Sequence, residues 1–164
     1  MSRLKLRLAD DAATEALGAR LAAEAARWPG GVVYLQGTLG AGKTTLARGW
    51  LRSLGVTGAI RSPTYTLIEP YRIGDCELLH MDLYRLKHPE ELEGLGLDDY
   101  SPTRCWWLVE WPECGSGFLP PASILVRLST DGDGRLAEIE TAPSMPFVAA
   151  DWPEIVPKSA ENMK

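Results

Sequence analysis

The sequence predicts an α/β fold in one domain, a sandwich built around a phosphate-binding loop. Three observations predict it. Gly31–Gln36 is an apolar, β-branched run bounded by glycines, the pattern of a buried strand. Gly37-Thr38-Leu39-Gly40-Ala41-Gly42-Lys43-Thr44 follows as G-x-x-x-x-G-K-T, and residues 45–54 then place Leu46, Trp50 and Leu54 on one helical face before Gly55 stops them. Near the end, two alternating runs at 123–128 and 135–140 flank Asp131-Gly132-Asp133-Gly134, which predicts a C-terminal β-hairpin.

The remaining elements follow from the same rules. Leu4, Leu6 and Leu8 alternate with Lys5 and Arg7, the period of a half-buried first strand. Asp10-Asp11 supplies an N-cap and an acidic first turn to a helix over 12–28, with Leu17, Leu21, Ala25 and Trp28 as its apolar stripe. Beyond the central helix, Pro63 forces Ser62 into extended backbone. A strand is therefore expected to open at Thr64 and Thr66 and to run to about Tyr71. Ile73-Gly74-Asp75 is a turn, residues 76–81 form a strand ending in Asp82, and Pro89 opens a short acidic helix that Gly94-Leu95-Gly96 ends. Residues 98–100 read as loop. Cys105-Trp106-Trp107-Leu108-Val109, the most hydrophobic strand, ends at Glu110. From Ala142 the pattern fades, so 1–141 is the expected domain and 142–164 a peripheral or disordered tail.

Composition narrows the function. With 164 residues, 45% apolar and 24% charged, the chain has enough material for one real core. A net charge of −5 argues against a large basic nucleic-acid surface. No apolar run approaches membrane-spanning length and the first residues lack a signal-peptide core, so a cytoplasmic location is expected, with neither membrane nor DNA as partner. Cys76, Cys105 and Cys114 have no C-x-x-C spacing and read as reduced thiols. His80 and His88 are too few and too badly spaced for a metal cluster, which leaves them structural roles.

The glycine loop carries the chemistry. Gly37, Gly40 and Gly42 permit close backbone approach to an anion. The amides from Leu39 through Ala41 to Thr45 can then point inward at the positive end of a helix. Lys43 reaches β- and γ-phosphates as a point charge, and the Thr44 hydroxyl ligates Mg²⁺. Glu110 and Asp82 stand at strand ends, where ligands collect in open α/β sheets. Glu110 ranks first as metal-side carboxylate because its strand is the more fully apolar. Spacing alone leaves Thr64 open between a phosphate or metal sensor and a strand residue chosen for β-propensity.

Four stretches together, GTLGAGKTTLARG, SPTYTLIEPY, HMDLYRL and LVEWPE, resemble the bacterial TsaE (YjeE) family over about residues 4–141. The resemblance implies a P-loop NTPase-like α/β sandwich with a mixed, mainly parallel sheet. It implies an ATPase that uses ATP and Mg²⁺, is slow alone, and works with the TsaB and TsaD proteins. That pair puts threonylcarbamoyl on an adenosine of tRNAs reading codons that begin with A, so tRNA is met only through the complex. Lys43 and Thr44 match the family's phosphate and metal residues. Thr64 matches the family's SPT threonine, Asp82 the aspartate of its H-x-D-L-Y-R block and Glu110 the glutamate of its E-W block. Trp111 matches a tryptophan the family needs, and Asp11 borders the nucleotide. Thr38 departs from the family's usual aspartate, and His80-Met81 from its usual His-Phe. A small-molecule kinase is disfavoured because 87–104 holds no arginine between its ends. A GTPase is disfavoured because there is no N-K-x-D block. A nucleotide-gated module with negligible turnover stays open.

Overall fold

The computed structural model describes residues 2–145. Its elements, in chain order, are β1 (Ser2–Leu8), α1 (Asp11–Ala25), β2 (Gly31–Gln36), α2 (Lys43–Ser53), β3 (Ile68–Ile73), β4 (Cys76–Asp82), β5 (Cys105–Glu110), β6 (Ile124–Asp131) and β7 (Gly134–Thr141). The strands form one sheet in the order β1-β7-β6-β2-β5-β4-β3. β4, β5, β2 and β6 run parallel, while β3, β7 and β1 join antiparallel at the edges. The expected mixed, mainly parallel sheet and the C-terminal hairpin are both present.

Alternation along the central strands builds a core on each face. Val33, Leu35, Trp106 and Leu108 pack with Leu17, Leu21, Leu46 and Trp50 of the two helices. Val32, Trp107 and Val109 point the other way, onto Leu83, Leu92 and neighbouring 3-10 turns. Every residue of β5 is buried, as befits a strand flanked on both sides by parallel neighbours. The helices meet closely at two glycines: a Cβ on Gly18 would lie 2.1 Å from the Leu46 carbonyl oxygen, and one on Gly49 2.0 Å from that of Glu15. This seam fixes where α2 begins, and α2 begins at the glycine loop.

Several boundaries differ from the sequence reading. α1 ends at Ala25; Arg27 and Trp28 donate to carbonyls three residues back, a tightened last turn before Pro29. Leu54 caps α2 and is exposed. Residues 97–99 form a 3-10 turn. The largest difference is at 64–67. There the Leu67 amide donates to the Pro63 carbonyl at 2.8 Å and closes a turn, Leu67 takes φ 67, and β3 starts only at Ile68. Hydroxyl bonds from Ser62 and Thr64 to Asp82 outcompete the β-propensity of the threonines. Of the expected tail, 146–164 lies outside the described residues. Ala142 still donates to the Ser123 carbonyl, and Met145 packs on the helix-side core. No helix among the described residues is long and apolar enough to cross a membrane.

Candidate nucleotide site

The parallel strands end together at one edge of the sheet, and the site is assembled there. β2 leads into the glycine loop, and α2 starts at Lys43 with Gly42 as an N-cap that has no side chain to offer. The first amides of α2 are thus left for a ligand, with the positive end of the helix behind them. In the neighbouring strands Leu35 pairs with Glu110, and Glu110 with Asp82. Both carboxylates therefore stand beside the loop.

Their hydrogen bonds are specific. Glu110 is 2% exposed. Its Oε1 accepts from Thr44 Oγ1 at 2.8 Å, and its Oε2 accepts from Ser62 Oγ at 3.0 Å and lies 2.7 Å from His80 Nε2. Burial alone would push the Glu110 carboxyl up. The hydrogen bond and electrostatic attraction of His80, with the Thr44 and Ser62 hydroxyls, nevertheless hold it below its ordinary value. Asp82 Oδ2 accepts from Ser62 Oγ and from Thr64 Oγ1, while Oδ1 accepts from the Tyr84 amide at 3.0 Å.

Lys43 is buried, and its Nζ donates to the carbonyls of Gly37 at 2.5 Å and Thr38 at 2.8 Å. It also lies 4.1 Å from the centre of the Trp111 ring, which in turn packs on Tyr84. Burial lowers the Lys43 pKa, against the opposing pull of Glu110, Asp82 and Glu113. Trp111 reaches this position through left-handed backbone, φ 57 and ψ 50, immediately after β5.

On the other flank Arg135 leaves β7 and lies against Gly42. Its guanidinium donates to Thr14 Oγ1 at 2.8 Å and pairs with Asp11 at 2.8 Å. Leu39, Gly40, Gly42, Lys43, Thr44, Thr45, Ser62, Thr64, Asp82, Glu110, Trp111, Asp11 and Arg135 line one cleft of ≈ 310 Å³. Of the residues expected from sequence, Gly37 and Ala41 stand behind it. Gly37 lends its carbonyl to Lys43, and Ala41 is buried under the loop. Thr38 contributes its carbonyl; its side chain is not among the lining groups.

Sequence reasoning passed over three site residues. The sequence marks Ser62 only as the residue before a proline, and His80 only as structural. Each has a signal in the sequence: Ser62 is two residues from Thr64, and His80 lies two from Asp82 on the same face of the strand expected there. Arg135 carried none, since its partners are more than a hundred residues away. His88 is exposed outside the site, and Cys76, Cys105 and Cys114 are not paired with one another.

The clustered oxygens of Thr44, Ser62, Asp82 and Glu110 are hard donors of the kind Mg²⁺ selects. No group of three or more His, Cys, Asp or Glu among the described residues is placed to hold a metal alone.

The sheet, the glycine loop and the helix behind it define a P-loop NTPase-like protein. A family model described as threonylcarbamoyl adenosine biosynthesis protein TsaE matches residues 8–137. The chain belongs to the TsaE family. It is 52% identical over 108 residues to the tRNA threonylcarbamoyladenosine biosynthesis protein TsaE of Haemophilus influenzae, covering 66% of this chain and 68% of that protein. The protein of the same name from Bacillus subtilis is 41% identical over 133 residues, covering 81% and 82%. Among solved structures, that of Bacillus subtilis YdiB superposes with a TM-score of 0.70 at 31% identity, covering 88% of this chain and 89% of that one.

Proposed function

We propose that this chain is the ATP-binding and ATP-hydrolysing subunit of cytoplasmic tRNA threonylcarbamoyladenosine synthesis, acting with TsaB and TsaD on tRNAs that read codons beginning with A. One observation carries the hydrolytic reading. In a single cleft, Lys43 and the open end of α2 face a cluster of carboxylates and hydroxyls in which Thr44 is already bonded to Glu110.

The chain's own groups divide the work. Loop amides and the end of α2 hold the phosphates, and Lys43 exchanges its carbonyl partners for phosphate oxygens. The Thr44 hydroxyl donates its hydrogen bond to Glu110 Oε1 and keeps its proton, which leaves its own oxygen lone pairs free for a cation. Asp82, held by Tyr84 and Thr64, is positioned to orient an attacking water. Bound Mg²⁺ would be held by Thr44 with Glu110 or Asp82 and would neutralise phosphate charge. Trp111 and Tyr84 cover the Lys43 side of the cleft, while Arg135 and Asp11 border the opposite side.

The test is calorimetric titration of ATP with Mg²⁺ into the wild type and Lys43→Ala, joined to phosphate release with and without TsaB–TsaD. Binding lost in the variant and release accelerated by the partners are expected. Undiminished affinity in Lys43→Ala would overturn the assignment of the loop. Tight binding without release, even with both partners, would leave a nucleotide-gated module in place of an ATPase.

A further inference from the structure

A count of donors around the two carboxylates singles out His80. Thr44 Oγ1 serves Glu110 Oε1, the Tyr84 amide serves Asp82 Oδ1, and Thr64 Oγ1 serves Asp82 Oδ2. Ser62 Oγ touches both Asp82 Oδ2 and Glu110 Oε2, and its contact with Asp82 is the shorter. A hydroxyl has one proton, so Ser62 divides it between the two carboxylates and commits it fully to neither. Among the described residues, the one donor committed to Glu110 Oε2 is therefore His80 Nε2, at 2.7 Å.

Glu110 is the one hydrogen-bond partner of the imidazole among the described residues. His80 is fully buried on β4 between apolar Leu79 and Met81. Its other ring nitrogen, Nδ1, has no hydrogen-bond partner among the described residues. A side chain chosen for packing would be apolar here, because burying an imidazole with one nitrogen unsatisfied is costly. Strand register supplies the geometry: His80 pairs with Leu108 and Asp82 with Glu110, so His80 meets Glu110 diagonally across two parallel strands. The ring does not line the cleft and acts only through the carboxylate.

We propose that His80 is a positioning residue that clamps Glu110 Oε2, so that Oε1 stays on the Thr44 hydroxyl and the metal-side group is set before nucleotide arrives. The proposal rests on the reading of Thr44 and Glu110 as the metal side of a nucleotide site. Groups that orient a metal's ligands change metal affinity by about 10–100-fold when removed.

Calorimetry with a non-hydrolysable ATP analogue, run with Mg²⁺ and with EDTA, tests it on His80→Leu, His80→Gln and His80→Asn. Gln can place an amide N–H near the Nε2 position; Asn places it near Nδ1 and cannot. In His80→Leu and His80→Asn the affinity gained from Mg²⁺ should fall about 10-fold or more. Affinity in EDTA should stay close to that of the wild type, and His80→Gln should recover most of the Mg²⁺ gain. Should His80→Leu fail to fold, the Gln and Asn pair decides alone. A variant that only melts earlier and keeps the full Mg²⁺ gain overturns the clamp, as does His80→Gln behaving like His80→Asn. A wild type that binds no nucleotide at all overturns the function proposed above instead.

Discussion

Gly42 joins the backbone of the loop to Arg135, so its replacement measures both. It sits at φ 106 and ψ 15, beyond the left-handed well that other residues can visit. Alanine there costs about 1–3 kcal/mol of backbone strain. Its Cβ would also lie 2.8–2.9 Å from the Arg135 guanidinium, which must swing away and release Thr14 and Asp11. The Thr14 bond is worth about 1 kcal/mol. The Asp11 pair adds less than about 1 kcal/mol, because that carboxylate is 72% exposed. Gly42→Ala should therefore lose about 2–5 kcal/mol. Gly40 is the control: at φ 75, with nothing within 4 Å of its would-be Cβ, alanine should cost only about 1–2 kcal/mol. Urea unfolding reads both differences. A third variant, Gly42→Ala with Arg135→Ala, separates strain from collision, since bonds already removed cannot be lost twice. It should be less destabilised than the two single changes added together, by about 1 kcal/mol. Equal losses at Gly40 and Gly42, or strict additivity in the double variant, would refute the coupling of loop and hairpin.

Acid should expose Glu110. Its folded pKa is depressed, so the stability it contributes is present above the unfolded value of about 4.3 and is lost as pH falls through the lower folded value. The urea midpoint should fall in that acid window, and Glu110→Gln should flatten part of the slope; an unchanged slope would count against the hydrogen-bonded carboxylate. Thiol reactivity should separate the cysteines. Cys76 is exposed, whereas burial raises the Cys114 thiol and pushes Cys105 up to about 11. A disulfide reagent at pH 8 should modify Cys76 first and Cys105 only on unfolding, and early modification of Cys105 would contradict the packing of β5.

What could be read in the sequence was what neighbours in the chain decide. Asp10 caps α1 by accepting from the Ala13 amide three residues on, and the Gly132 turn closes a hairpin whose strands alternate on either side. The glycine loop declared itself because strand, loop and helix are contiguous. The turn at 64–67 was not legible, because its competitor, the Asp82 carboxylate, arrives from β4. The same holds for Arg135, which becomes a site residue only when the hairpin is laid beside α1 and the loop.

Where the two acids stand relative to the loop follows from where their strands lie in the sheet. A strand as apolar as β5 has to lie inside the sheet, and the strand that carries the glycine loop, β2, is inside as well. Two interior strands of a parallel sheet are readily neighbours, and here they are, with Leu35 against Glu110. Glu110 is thus one strand from the loop and reaches Thr44 directly. Asp82 stands one strand farther out, and its contact with Glu110 passes through the Ser62 hydroxyl. Hydrophobicity along the chain thus acts on the chemistry indirectly. It decides which strand end adjoins the loop, and the acid at that end meets the Thr44 hydroxyl.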